Sequence, residues 1–184
     1  MKRTIITILL AFFALTTRAQ WFQSIMHNPK RVQIDKMISG YRYLQTEPLT
    51  VLMPKRAVFW TLISMDYYEG YKNPHYIRLY TRCELSEKDI LIIKFAEGQD
   101  LHLYAETSNH WRSNLGIGKK VDIYDAVYLL DEQKLEKILS SPISGIMIGW
   151  GSNWYSKDFK KNELGKLLNQ NYEAISRQLK KSRK

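Results

Sequence analysis

The chain has 184 residues, 45% of them hydrophobic and 25% charged, an ordinary globular composition with no internal repeat and no low-complexity linker. Its formal charge of +10 would suit nucleic acid or anionic surfaces, but the charge is unevenly placed. From Lys157 onward nine basic residues face three acidic ones, so the body is nearly neutral and lacks the spread basic platform of a nucleic-acid binder.

Lys2 and Arg3 precede an apolar run, Ile5 to Leu15, interrupted only by Thr7, and Thr17-Arg18-Ala19 then gives a small-x-small site before Gln20. This order predicts a cleavable signal peptide over 1–19 and an exported product, periplasmic or extracellular. A retained membrane anchor is the alternative, but spanning a bilayer takes ~20 apolar residues and this run is little more than half as long. The only cysteine, Cys83, is far from the cleavage site, so lipidation is not expected; with no second thiol, neither is an intramolecular disulfide. Gln20 to Lys184 is expected to form one domain, a length that buries about 70% of its unfolded surface. Removal of Lys2, Arg3 and Arg18 leaves 25 basic against 18 acidic residues, and the last 28 positions hold +6 of the resulting +7.

Trp21 and Phe22 open the domain and Asn28-Pro29 breaks the chain. Val32 to Ile38 and Tyr41 to Gln45 are strand candidates around Ser39-Gly40, and Val58 to Ser64 is another after Pro54. From Tyr76 to Cys83 the alternation predicts a half-buried strand, with Ile77, Leu79, Thr81 and Cys83 on one face and Tyr76, Arg78, Tyr80 and Arg82 on the other. Ile90 to Ala96 and Leu101 to Ala105 flank Glu97-Gly98-Gln99-Asp100, a hairpin signal. Thr107 to Lys120, rich in Ser, Asn, Gly and charge, is expected to be a long irregular loop, followed by a strand over Ile123 to Leu130. Asp131 is the expected cap of a helix to Ser140, which Pro142 closes. Ser144 to Ile148 is a further strand, Gly149 to Asn153 a turn, and Trp154 to Phe159 a last strand. The final helix, 162–181, places Leu164, Leu167, Leu168, Tyr172, Ile175 and Leu179 on one stripe and Lys166, Arg177, Lys180 and Lys181 opposite. The fold class expected is α+β, an antiparallel β-sheet with both helices packed on one face.

Gly-x-Ser-x-Gly and His-Glu-x-x-His are both absent. His27, His75, His102 and His110 show no metal-ligand spacing, so no metal or cofactor is expected. Gly116-Ile117-Gly118-Lys119-Lys120 fails as a phosphate loop, because Ser113 stands where its first glycine belongs and Lys120 where Ser or Thr belongs. The acidic group Glu84, Glu87 and Asp89 reads as an ordinary turn. A thiol-dependent enzyme using Cys83, with His75 or His102 as base, is the alternative function; the strand alternation instead places Cys83 among buried apolar residues, where a thiol stays inert.

What remains is a set of aromatic and cationic residues suited to recognition: His110, Trp111 and Arg112 in the expected loop, and Trp150, Trp154 and Tyr155 around the turn before the last helix. Tyr76, Arg78, Tyr80 and Arg82 form a comparable strand face. The plainer reading makes the tryptophans partly buried caps and the strand face solvated. The sequence thus points to a non-enzymatic module binding a protein, glycan or other envelope component, with no nucleic-acid or membrane partner.

From Tyr76 onward the chain resembles a family of small, signal-bearing, uncharacterised exported proteins abundant in Bacteroidota. The resemblance rests on Tyr76-Ile77-Arg78-Leu79-Tyr80, Ile93-Lys94-Phe95-Ala96-Glu97-Gly98, Ala126 to Leu139, Ile146-Met147-Ile148, and above all Lys157-Asp158-Phe159-Lys160-Lys161 leading to Leu164-Gly165-Lys166. It implies location and fold, since no activity is attached to that family. The tryptophan-rich turn Gly149 to Trp154 departs from the family's plainer turn.

Overall fold

The computed structural model describes residues 30–53, 59–81, 90–114, 120–150 and 153–182. The expected signal segment, Trp21, Phe22, Asn28-Pro29, Pro54, Arg82, Cys83, the acidic group Glu84, Glu87 and Asp89, and Gly116 to Lys119 lie outside the described residues. Among the described residues eleven strands and two helices follow in the order β1 (Val32–Ile38), β2 (Tyr41–Thr46), β3 (Leu49–Met53), β4 (Phe59–Tyr68), β5 (His75–Thr81), β6 (Ile90–Phe95), β7 (Leu101–Tyr104), β8 (Thr107–Asn114), β9 (Lys120–Leu129), α1 (Glu132–Ser140), β10 (Ile143–Trp150), β11 (Asn153–Asp158) and α2 (Glu163–Lys181).

The strands form two sheets in place of the expected one. The larger has the order β1-β2-β4-β5-β9-β8 with β3 also on β4, and the smaller has the order β11-β10-β6-β7. Every pairing is antiparallel. The architecture is mostly β with two helices, more strand-rich than the balanced α+β pattern expected. The excess has three sources: β3 is not among the expected strands, β8 is polar and occupies most of the segment expected to be a loop, and β10 and β11 extend into the expected turn at Gly149 to Asn153. β8 is Thr-Ser-Asn-His-Trp-Arg-Ser-Asn, an edge strand held by a full register with β9, from Thr107↔Val127 to Asn114↔Lys120. The turn between β1 and β2 agrees with its sequence, Ser39 and Gly40 both adopting positive φ (50° and 82°).

One core unites both sheets and both helices. Ile77 and Leu79 point inward with Ile63, Met65, Ala126 and Tyr128 of neighbouring strands, and meet Leu91 and Ile93, Ile146 and Ile148, and Leu164, Leu167 and Leu168. The stripe anticipated on α2 is therefore the one buried, while Lys166, Arg177, Lys180 and Lys181 are exposed. Asp131 caps α1 as expected, its Oδ1 accepting from Lys134 N at 2.9 Å.

β4 has a split partner on one side: β3 pairs with Phe59 to Ile63 and β2 only with Tyr67 and Tyr68. Side chains bridge the gap between them. Met65 N donates to Asn171 Oδ1 of α2 at 3.1 Å, Thr46 Oγ1 donates to Met65 O at 2.8 Å, and Thr46 N donates to Asp66 Oδ1 at 3.0 Å. Thr46, Asp66 and Asn171 are fully buried for this reason: they satisfy backbone groups that an unbroken ladder would have paired.

Candidate functional site

The helices and the smaller sheet lie on the inner side of the large sheet. Alternation sends Tyr76, Arg78 and Tyr80 of β5 to the outer side, opposite Ile77 and Leu79. The register adds neighbours to each: Asp66↔Tyr76 and Ser64↔Arg78 from β4, Arg78↔Val127 and Tyr80↔Asp125 from β9, then Asn109↔Asp125 from β8. Tyr43 and Lys36 extend the same face through β2 and β1. Lys36, Tyr43, Tyr68, Tyr71, Arg78 and Asp125 are among the residues that line a groove of about 420 Å³ across the outer face, within the size range of small-molecule sites.

Arg78 is its fixed centre. Nε and Nη2 bond the two oxygens of Asp125 at 2.9 and 2.6 Å, Nη1 donates to Tyr43 Oη at 2.5 Å, and the guanidinium lies 4.5 Å from the Tyr80 ring centre. Burial disfavours the Arg78 charge, but the hydrogen bonds and attraction from Asp125 outweigh it and hold the group above its usual range. One wall is a run of edge-to-face rings, Tyr68 to Tyr71 at 5.1 Å and Tyr71 to Tyr76 at 5.7 Å, which Tyr41 extends beyond the groove at 6.2 Å from Tyr68. Such contacts are worth about 0.5–1.5 kcal/mol each beyond burial. The fold-back of Tyr68 needs Gly70, because a Cβ there would lie 2.6 Å from the ring.

Burial pushes the Tyr43 phenol up to about 12, and it also raises Tyr76 and Tyr80. At neutral pH these phenols are protonated hydrogen-bonding groups and not nucleophiles. Beneath them Asp66 is fully buried, and burial raises its carboxyl to about 7 against the opposing pull of the Thr46 N–H and Arg78. Its Oδ2 has no hydrogen-bond partner among the described residues.

The six residues singled out in the sequence fall in two places. His110, Trp111 and Arg112 lie on β8, an edge of the large sheet, and not in a loop. His110 Nε2 and Arg112 Nε each lie 3.0 Å from Asp122 Oδ1, and the His110 ring stacks on Tyr124 at 4.6 Å. The hydrogen bond from Arg112, then that from His110, holds the Asp122 carboxyl below its usual range. Trp111 pairs with Ile123 in the ladder. Trp150, Trp154 and Tyr155 belong to the β10–β11 hairpin at an edge of the small sheet, where Trp150 pairs with Asn153. Trp154 is 39% exposed and its ring covers Gly149, filling the space a Cβ would take, while Tyr155 packs on the main core. β11 packs by β3 and β7 by β9, so the two groups occupy opposite edges and do not converge.

The groove itself was only partly visible in sequence. The Tyr-x-Arg-x-Tyr alternation marks its centre, but a solvated face is the wrong description, since Tyr76 is 3% exposed. Tyr43, Tyr68, Asn109 and Asp125 come from four other strands, and only the strand order assembles them. Among the described residues no group of three or more His, Cys, Asp or Glu is arranged to hold a metal ion, and no helix is long and apolar enough to cross a membrane. Comparison with known proteins finds no matching family model, no matching curated protein and no matching solved structure.

Proposed function

We propose that this chain is an exported, non-enzymatic binding domain, periplasmic or secreted, whose ligand is an envelope glycan seated in the outer-face groove. The observation that carries the reading is the pairing of a tyrosine wall with a fixed Arg78–Asp125 centre. Sugar C–H faces pack on tyrosine rings, and sugar hydroxyls exchange hydrogen bonds with amide, carboxylate and guanidinium groups. Because Asp125 matches the charge of Arg78, the centre favours a neutral polar ligand over a strongly charged one. β8 contributes Thr107 and Asn109 to the rim, so His110, Trp111 and Arg112 continue the strand that borders the groove.

The test is a fluorescence titration of the mature domain with soluble envelope glycans. Saturable binding that weakens about tenfold or more in Tyr71→Ala and in Asn109→Ala supports the groove. Full retention of binding by both variants, with loss in Trp111→Ala, Trp154→Ala, would move the site to the sheet edges. Failure of every glycan to bind would overturn the ligand class.

A further inference from the structure

A second recess, of about 440 Å³, lies between the start of β1 and the last turns of α2, apart from the groove. Among the described residues its lining includes four cationic side chains, Lys30, Arg31, Arg177 and Lys181, and no carboxylate. Helical spacing accounts for half of the arrangement: Ala174, Arg177, Gln178 and Lys181 fall on one side of α2. The other half comes from a distant segment, anchored where Arg177 Nη2 donates to Lys30 O at 3.0 Å.

The adjoining carboxylate is already matched. Asp35 accepts from Arg42 Nε at 3.0 Å and Nη2 at 2.6 Å and from Gln178 Nε2 at 2.8 Å, and the Arg42 hydrogen bond holds it below its usual range. One effect opposes anion binding, because a helix C-terminus carries about half a negative charge. The full positive charges of Arg31, Arg177 and Lys181 exceed it.

We propose that this recess is an anion site for a ligand bearing more than one phosphate group. Arginine suits phosphate because its planar fork presents parallel N–H donors, and two arginines with Lys181 exceed what a single monoanion would neutralise. A soluble polyphosphate and a phospholipid surface offer the same chemistry, and the test separates them.

Calorimetric titration of the full mature domain with tripolyphosphate is run beside sedimentation with vesicles containing cardiolipin, a lipid whose headgroup carries two phosphates. The variants are Arg177→Gln, Lys181→Gln and, as a control of equal charge, Lys160→Gln, Lys161→Gln, two exposed lysines before α2. One-to-one binding of tripolyphosphate, weakened about tenfold or more in the first variant and retained in the second, supports the site with a soluble ligand. Vesicle binding alone, with the same variant pattern, supports it with a lipid headgroup. Equal loss in both variants marks general charge attraction and overturns the proposal, as does binding to neither probe.

Discussion

Replacing Asp66 with Asn isolates a buried carboxyl that the fold leaves half-satisfied among the described residues. Asp66 Oδ1 accepts from Thr46 N at 3.0 Å and from Thr46 Oγ1 at 3.3 Å, bonds that an Asn oxygen preserves, while Oδ2 is unpartnered among the described residues. Burial raises the folded pKa from 3.8 to about 7. The folded state therefore holds a proton that the unfolded chain has released. Between about pH 4 and pH 7 the unfolded state binds fewer protons, so stability falls as pH rises through this window and levels off above it. At about 1.4 kcal/mol per unit, the shift corresponds to an upper bound of about 4 kcal/mol. Asn cannot ionise, so this loss disappears in the variant, although its buried amide N–H groups cost about 1–3 kcal/mol at every pH. Carboxyls held low on the surface, Asp35, Asp122 and Asp131, and His75, lowered by burial, add stability with rising pH in both proteins and cancel in the difference. Urea unfolding followed by circular dichroism at pH 4.5, 6 and 8 gives that difference directly. The variant is expected to gain on the wild type by a few kcal/mol from pH 4.5 to pH 8. Parallel pH profiles would refute the assignment of Asp66 as a proton-holding buried group.

Further expectations follow from single contacts. Asp125→Asn removes the charge partner of a mostly buried Arg78 and is expected to lower stability by about 2 kcal/mol, below the value for a fully buried pair because Arg78 retains some exposure; urea midpoints measure it. Asn171→Ala strips the acceptor from the Met65 N–H and leaves a void between α2 and β4, with an expected cost of about 2–3 kcal/mol in the same assay. Gly149→Ala places a methyl where the Trp154 ring lies, so the ring is displaced and tryptophan emission shifts to the red with little change in far-ultraviolet dichroism.

Much of the fold is legible where periodicity and caps act locally. The inward stripe of α2, the Asp131 cap and the alternation of β5 all follow from residue spacing. β3 and β8 do not, because neither carries a distinctive signal: β3 is a short run of five residues, and the composition of β8 matches a loop. Their strand character comes from ladder partners distant in sequence. Two buried polar residues have the same origin, since nothing near Asp66 or Asn171 in the chain announces the gap between β2 and β3 that they fill. The site was partly legible for a related reason. Tyr76, Arg78 and Tyr80 could be placed on one face, but their burial depends on Tyr43, Val127 and Asp125 lying beside them.

Nuclear magnetic resonance mapping of residues 20–184 titrated with a soluble glycan tests whether ligand lies on the outer face of the large sheet. The predicted result is a continuous set of shift changes over Tyr71, Arg78, Tyr80, Asn109 and Asp125, with the β10–β11 hairpin undisturbed. Changes confined to Trp154, Tyr155 and their hairpin, with the groove silent, would contradict it.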